Sequence, residues 1–257
     1  MPDGLNLYLS PTAILDSDHP AVRAFARDAV RAAADTAPAK AVRLYYAVRD
    51  GIWYDPYQPF HRPEHYRASH VLAVGRAFCV GKAGLLCALG RACGIPARVG
   101  FADVRNHLTT RQLRDFLGSD LFVFHGYTEF WLEGRWVKAT PAFNVELCRR
   151  HRAVPLEFDG CTDSLFHACN EASQRFMEYV RDHGAFGDIP VERLVAAWED
   201  AYGRDRVQGW ITAFESCGGR SGKQFERDVL GFLQEDVLGK ATSGGPIEQG
   251  KTRDPRS

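Results

Sequence analysis

Net charge is missing from this chain: 32 Lys and Arg residues balance 32 Asp and Glu among 257 residues. A general electrostatic grip on nucleic acid or anionic lipid therefore has no support. No apolar run approaches the roughly 18 residues that a bilayer span needs. The opening stretch, MPDGLNLYLSPTAILD, has neither the basic nor the apolar region of a secretory signal. Cysteines at C-x-x-C spacing are absent, so no zinc ribbon or finger is expected. The seven cysteines, at 79, 87, 93, 148, 161, 169 and 217, are odd in number, which argues against a disulfide framework. Reduced thiols in the cytoplasm are the expectation. A calcium loop of the D-x-D-x-D-G kind is lacking, and so is any internal repeat. What is present is ordinary for a globular chain: 45% hydrophobic and 25% charged residues, enough to bury a substantial core.

The spacing predicts helices over residues 20 to 37, starting near Asp18 or His19, and over 40 to 50, ended by Gly51. YDPYQPFHRPEHYRASH reads as loop, punctuated by prolines. CVGKAGLLCALGRAC (79 to 93) is the clearest helix, stopped by Gly94 and Pro96. Strands follow at 97 to 104, 121 to 132 and 135 to 139, the last two joined at a turn around Glu133, Gly134 and Arg135. After about residue 165 the pattern returns to helix, through NEASQRFMEYVRDHG, PVERLVAAWEDAYG, RVQGWITAFES and FERDVLGFLQEDVLG. Segregated order of this kind argues for an α+β fold. The division expected is a core over 1–165, a helical extension over 166–240 and a flexible tail over 241–257.

One cysteine stands out by position. Cys79 opens the buried helix, where unpaired N–H groups and the positive helix end favour a thiolate and stabilise an oxyanion. Arg76 and Lys82 are expected to add positive charge nearby. Cysteine is also a small buried hydrophobe, a reading that suits Cys87 and Cys93. A nucleophile needs a base, and His125, within a strand, is the candidate; standing alone it reads equally as a core histidine. A two-residue turn at Glu133 and Gly134 pairs Tyr127 with Thr140 and makes Thr140 a diagonal neighbour of His125. A turn at Gly134 and Arg135 sets Asn144 opposite His125 and Thr140 opposite Glu129. Either way Thr140 or Asn144 is placed to orient the imidazole, and neither is a carboxylate.

GRAFCVGKAGLLCALGRACGIPARVGFADV, followed by FHGYTEFWLEGRWVKATPAFN, resembles the core of the transglutaminase-like superfamily. The likeness rests on Cys79, Lys82, Ala83, Arg91 to Arg98, His125, Trp136, Val137 and Pro141, and covers roughly residues 40 to 145. The segments on either side are similar to bacterial members with a helical C-terminal extension. The resemblance implies a papain-like core whose nucleophilic helix packs on an antiparallel sheet, with a Cys-His-Asp triad acting through a thioester. By position Cys79 is the nucleophile and His125 the base. The family Asp falls on Thr140, with Asn144 as a substitute. Tyr54 and Asp55 resemble a family pair ahead of the cysteine helix. Candidate substrate contacts are Tyr54, Arg76 and His107.

The string His61-Arg-Pro-Glu-His65 matches the H-x-x-E-H zinc motif, but Pro63 denies it the helix on which both histidines must share a face. Glu129 and Lys138 are expected to form a surface pair. The function expected is a cytoplasmic cysteine enzyme acting on a peptide or protein amide, a hydrolase rather than a cross-linking transferase, with no metal or organic cofactor and no nucleic acid or membrane partner. The rival is a weak or inactive peptide-binding module using the same groove.

Overall fold

A computed structural model describes residues 4–107, 111–150, 153–165 and 177–216. The elements run α1 (Pro20–Ala29), α2 (Ala37–Gly51), β1 (Trp53–Tyr54), α3 (Ala68–Val74), β2 (Arg76–Ala77), α4 (Cys79–Ala92), β3 (Ala97–Asn106), α5 (Arg111–Leu117), β4 (Leu121–Leu132), β5 (Arg135–Ala139), α6 (Val145–Arg150), β6 (Met177–Phe186), α7 (Val191–Tyr202) and α8 (Arg204–Ser216). Short 3-10 turns lie at Leu5–Tyr8 and Pro63–Tyr66. The fold is α+β. Strands β5, β4, β3 and β6 form one antiparallel sheet in that order, and β1 and β2 make a separate parallel pair.

Helix α4 is the hub. Every residue from Cys79 to Arg91 is buried, and apart from Lys82 and Arg91 its sequence is apolar or small on all sides. It lies along β4: Thr128 Oγ1 donates to the Ala83 carbonyl at 2.8 Å, and a Cβ on Gly90 would meet the Phe130 ring at 2.5 Å. The hairpin closes at Glu133 and Gly134, both with positive φ (49° and 87°), the signature of a tight I′ turn. Leu132 therefore pairs with Arg135 and Thr128 with Ala139. The Glu133–Gly134 register is the one formed; the register that sets Asn144 opposite His125 is not.

Four expectations are corrected. The helix read over 20 to 37 ends at Ala29, because Thr36 caps a new helix whose first turn carries Pro38. The stretch YDPYQPFHRPEHYRASH, read as loop, ends in helix from Ala68, and that helix runs on to Val74. After Pro141 the chain does not continue as strand but turns into α6. MEYVRDHG is not helix: Met177–Phe186 is the strand that completes the sheet on its β3 side. Helices α7 and α8 match PVERLVAAWEDAYG and RVQGWITAFES. FERDVLGFLQEDVLG and the tail lie outside the described residues.

Candidate active site

Phe78 caps α4 without a side-chain hydrogen bond, so the first-turn N–H groups are left for what stands in front of them. Cys79 occupies that place. The N–H groups of Gly126, Val80 and Cys79 itself face the sulfur and favour the thiolate, but burial outweighs them and pushes the thiol up to about 12. The helix tip alone does not ionise this cysteine in the closed molecule, contrary to the sequence expectation. Lys82 does not help. Its ammonium is fully buried and donates to the carbonyls of Arg49 (2.8 Å) and Ile52 (2.7 Å) at the end of α2, and burial holds its pKa well below the usual lysine range. Arg76 lies on β2 near Asp55; burial pushes the Asp55 carboxyl up, and the Arg76 charge only partly brings it back.

Strand β4 brings His125 to this tip. Gly126, the next residue, lies so close to α4 that a Cβ there would stand 2.8 Å from Val80 Cα and 3.3 Å from the Cys79 carbonyl oxygen. Only glycine lets the two backbones approach in this way. Strand β5 ends at Ala139, opposite Thr128, so β4 is without its β5 partner at Gly126 and His125. The sulfur meets the strand at that open stretch. Gly126, Thr128 and Phe130 turn toward α4, and the pleat sends His125 to the alternate side, from the Cα adjacent to the peptide that touches the sulfur. His125 is 3% exposed, and burial pushes its pKa down to about 3. At rest the site holds a neutral thiol and a neutral imidazole.

The candidates for the third position divide. Thr140 lies one residue beyond the last paired position, Ala139 opposite Thr128, and its carbonyl accepts from the Tyr45 hydroxyl at 3.2 Å. Its hydroxyl is buried without a hydrogen-bond partner among the described residues. Asn144 is committed elsewhere. Its Oδ1 accepts from Tyr54 N–H at 2.7 Å, and its Nδ2 donates to Arg49 and Ile52 carbonyls at 2.6 and 2.8 Å. Asn144 thus ties α2 to β1, and the Oδ1 that would accept an imidazole N–H is taken by Tyr54.

Tyr54 is buried against Phe143, paired with Ala77 across β1 and β2, and within electrostatic reach of the sulfur. His107, just beyond β3, is instead held by Glu178 at 3.3 Å. His61 donates to Glu215 at 2.6 Å rather than joining His65 on a helix. No cluster of three metal-ligating side chains occurs among the described residues. Glu129 and Lys138 are register partners but not an ion pair: Glu129 binds Arg98 at 2.5 Å and Lys138 binds Asp182 at 3.2 Å.

The covering of the site was not expected from the sequence. Trp198 of α7 packs on Phe60 (4.6 Å) and on Phe78 (5.9 Å), next to Cys79. Tyr202 lies within electrostatic reach of Cys79. Glu215 of α8 fastens the far end through His61 and Arg62. Also unanticipated is a carboxylate–imidazole pair, Asp103 and His183, at 2.7 Å. The amphipathic spacing of α7 and α8 shows in the sequence, but not the surface that they cover.

Residues 23–141 match the family model described as the transglutaminase-like superfamily. No curated protein matches the chain. Several solved structures are similar. A proposed cysteine protease from Cytophaga hutchinsonii is 16% identical with TM-score 0.44, over 72% of this chain and 55% of that one. The periplasmic domain of TgpA from Pseudomonas aeruginosa is 22% identical with TM-score 0.37, over 52% of this chain and 45% of that one. A proposed protease from Parabacteroides distasonis is 16% identical with TM-score 0.36, over 55% and 27%. The match thus spans little more than half of the first of these chains, and less of the others. Among the described residues, no helix is long and apolar enough to cross a membrane.

Proposed function

We propose, from the membership of residues 23–141 in the transglutaminase-like superfamily, that this chain is a cysteine enzyme acting on a peptide or protein amide through a thioester at Cys79. The observation that carries the reading is the trio of N–H groups, from Cys79, Val80 and Gly126, turned on the sulfur where the strand bearing His125 meets α4. Such donors favour a thiolate and a developing oxyanion. In this scheme His125 takes the thiol proton as the sulfur bonds to the carbonyl carbon. The imidazolium then protonates the departing amine as the C–N bond breaks. Water, giving its proton to the same imidazole, cleaves the thioester and releases the acid and the thiol. Hydrolysis is favoured over cross-linking because water is the smallest acceptor, and Cys79 is only 6% exposed. An odd set of cysteines without C-x-x-C spacing suits the reducing cytoplasm.

A second reading is a peptide-binding module with little turnover. It is favoured by the residue at the third position, a threonine hydroxyl without a partner among the described residues where the family has a carboxylate. Acylation by p-nitrophenyl acetate, followed by intact mass, separates the two. The enzyme reading expects an acyl adduct that hydroxylamine removes, absent from Cys79→Ala and formed roughly a hundredfold more slowly in His125→Ala. Equal labelling of wild type and Cys79→Ala, or none of either, leaves the binding module.

A further inference from the structure

The residue before His125 is backbone-strained. Phe124 has φ 57°, and besides the turn residue Glu133 it is the one non-glycine residue with positive φ among the described residues. The cause is a bulge. Val104 pairs with Phe122 and Ala102 with His125, so β3 spends only Asp103 where β4 spends Val123 and Phe124. A regular ladder continued from Val104 would set His125 opposite Phe101, on the face that Gly126 now turns to α4. The imidazole would then meet the Val80 backbone, where even a Cβ on Gly126 comes within 2.8 Å. One extra residue changes the face of everything after it. The bulge presents glycine to the helix and leaves His125 on the adjacent position.

Three side chains hold this backbone. Asp103 Oδ1 accepts the Phe124 N–H at 3.0 Å. Tyr202 takes the Val123 N–H at 2.8 Å, and Trp198 Nε1 donates to the Val123 carbonyl at 2.8 Å. Asp103 is itself held: His183 Nε2 donates to the same Oδ1 at 2.7 Å, while the His183 ring stacks on Phe124 at 4.3 Å. His183 is the extra residue of a second bulge, on β6, where Phe101 pairs with Gly184 and Ala102 with Asp182. Bulges on both neighbours of β3 thus converge on one buried carboxylate.

We propose that Asp103, supported by His183, is a positioning residue for His125: it locks the Phe124 bulge and so fixes the face and direction of the imidazole. In this chain a carboxylate acting through the backbone does the orienting that Thr140 does not. The proposal rests on the Cys79–His125 reading above for its catalytic meaning, but its structural content is measurable without it.

The test follows the ring resonances of His125 in histidine-labelled protein, together with the rate of Cys79 alkylation by iodoacetamide. Asp103→Ala is expected to displace the His125 resonances and slow alkylation roughly tenfold or more, since small misplacements of a reacting group carry large rate effects. Asp103→Asn, which retains an Oδ1 acceptor for the Phe124 N–H, is expected to restore both. Unchanged His125 resonances in folded Asp103→Ala overturn the proposal, as does an asparagine variant that behaves like alanine. Should Asp103→Ala fail to fold, His183→Ala decides by the same resonances: displaced supports, unchanged overturns. His125→Ala isolates the functional reading. If it leaves the Cys79 rate at the wild-type value, the catalytic pairing falls, while the resonances still decide the positioning.

Discussion

Thr140 and His125 carry the sharpest consequences among single side chains. A buried hydroxyl without a partner is a desolvation penalty, so Thr140→Val is expected to leave stability unchanged or raise it by about 1 kcal/mol in urea unfolding. Thr140→Asp goes the other way: burying a carboxylate is expected to lower stability by a few kcal/mol, on the order of 3. The same change should raise the His125 pKa from about 3 toward neutrality and speed acylation of Cys79, read by ring titration and by the p-nitrophenyl acetate assay. His125 also sets an acid response. Its pKa is about 3 in the fold and 6.5 as the reference value, so between those values the unfolded chain binds the extra proton. Stability present above pH 6.5 is therefore lost as pH falls toward 3, at no more than about 1.4 kcal/mol per pH unit from this group. His125→Phe should flatten that part of the stability–pH curve, and an unchanged slope would show that the imidazole is not buried neutral.

The close passage of β4 over the tip of α4 is where two elements depend on one residue. Gly126→Ala places a methyl carbon against the backbone of Val80 and Cys79, and backbone cannot rotate away as a side chain can. The strand must shift, and a loss of about 2 kcal/mol is expected in urea unfolding. The shift also removes the Gly126 N–H from the sulfur, so Cys79 acylation should fall even where the variant is fully folded. The hairpin strands and α4 were legible in the sequence because their signals are local: a Gly-Pro stop for the helix, and aromatic and β-branched runs around a glycine turn. The bulge at Phe124 has no such signal. It arises from pairing with β3 and from the Asp103 carboxylate, 21 residues earlier in the chain.

The molecule as a whole keeps its cysteine covered. Helices α7 and α8 close over the tip of α4 with an aromatic layer in which Trp210 stacks on Phe116 at 4.6 Å and contacts Phe60 and Tyr202 near 6 Å. With Cys79 only 6% exposed, an opening of this cover is the expected route of a reagent to the thiol. Trp210→Ala is expected to loosen α8 and to raise the rate of Cys79 alkylation by about tenfold at constant pH, while global unfolding shifts less. A rate that stays at the wild-type value would mean that the sulfur is reached by another route. The raised thiol and lowered imidazole pKa values come from burial in the assembled molecule rather than from the helix tip.

By itself the sequence determined which residues could do chemistry and which local elements carry them: Cys79 at the head of a largely apolar helix, His125 in an aromatic strand, and a Glu-Gly turn that admits the observed register. These follow from neighbours a few residues apart. Tertiary structure alone decided the rest. The segment from Met177 to Phe186 is charged and exposed, without the alternation of a half-buried strand, and becomes β6 only because β3 offers it an edge. Asn144 is drawn away to the end of α2, and the face of His125 is set by a bulge that two other strands and a helix hold in place. Side-chain period reports how a strand runs, but the phase of that period, and the water left around a titrating group, are fixed only when distant segments pack.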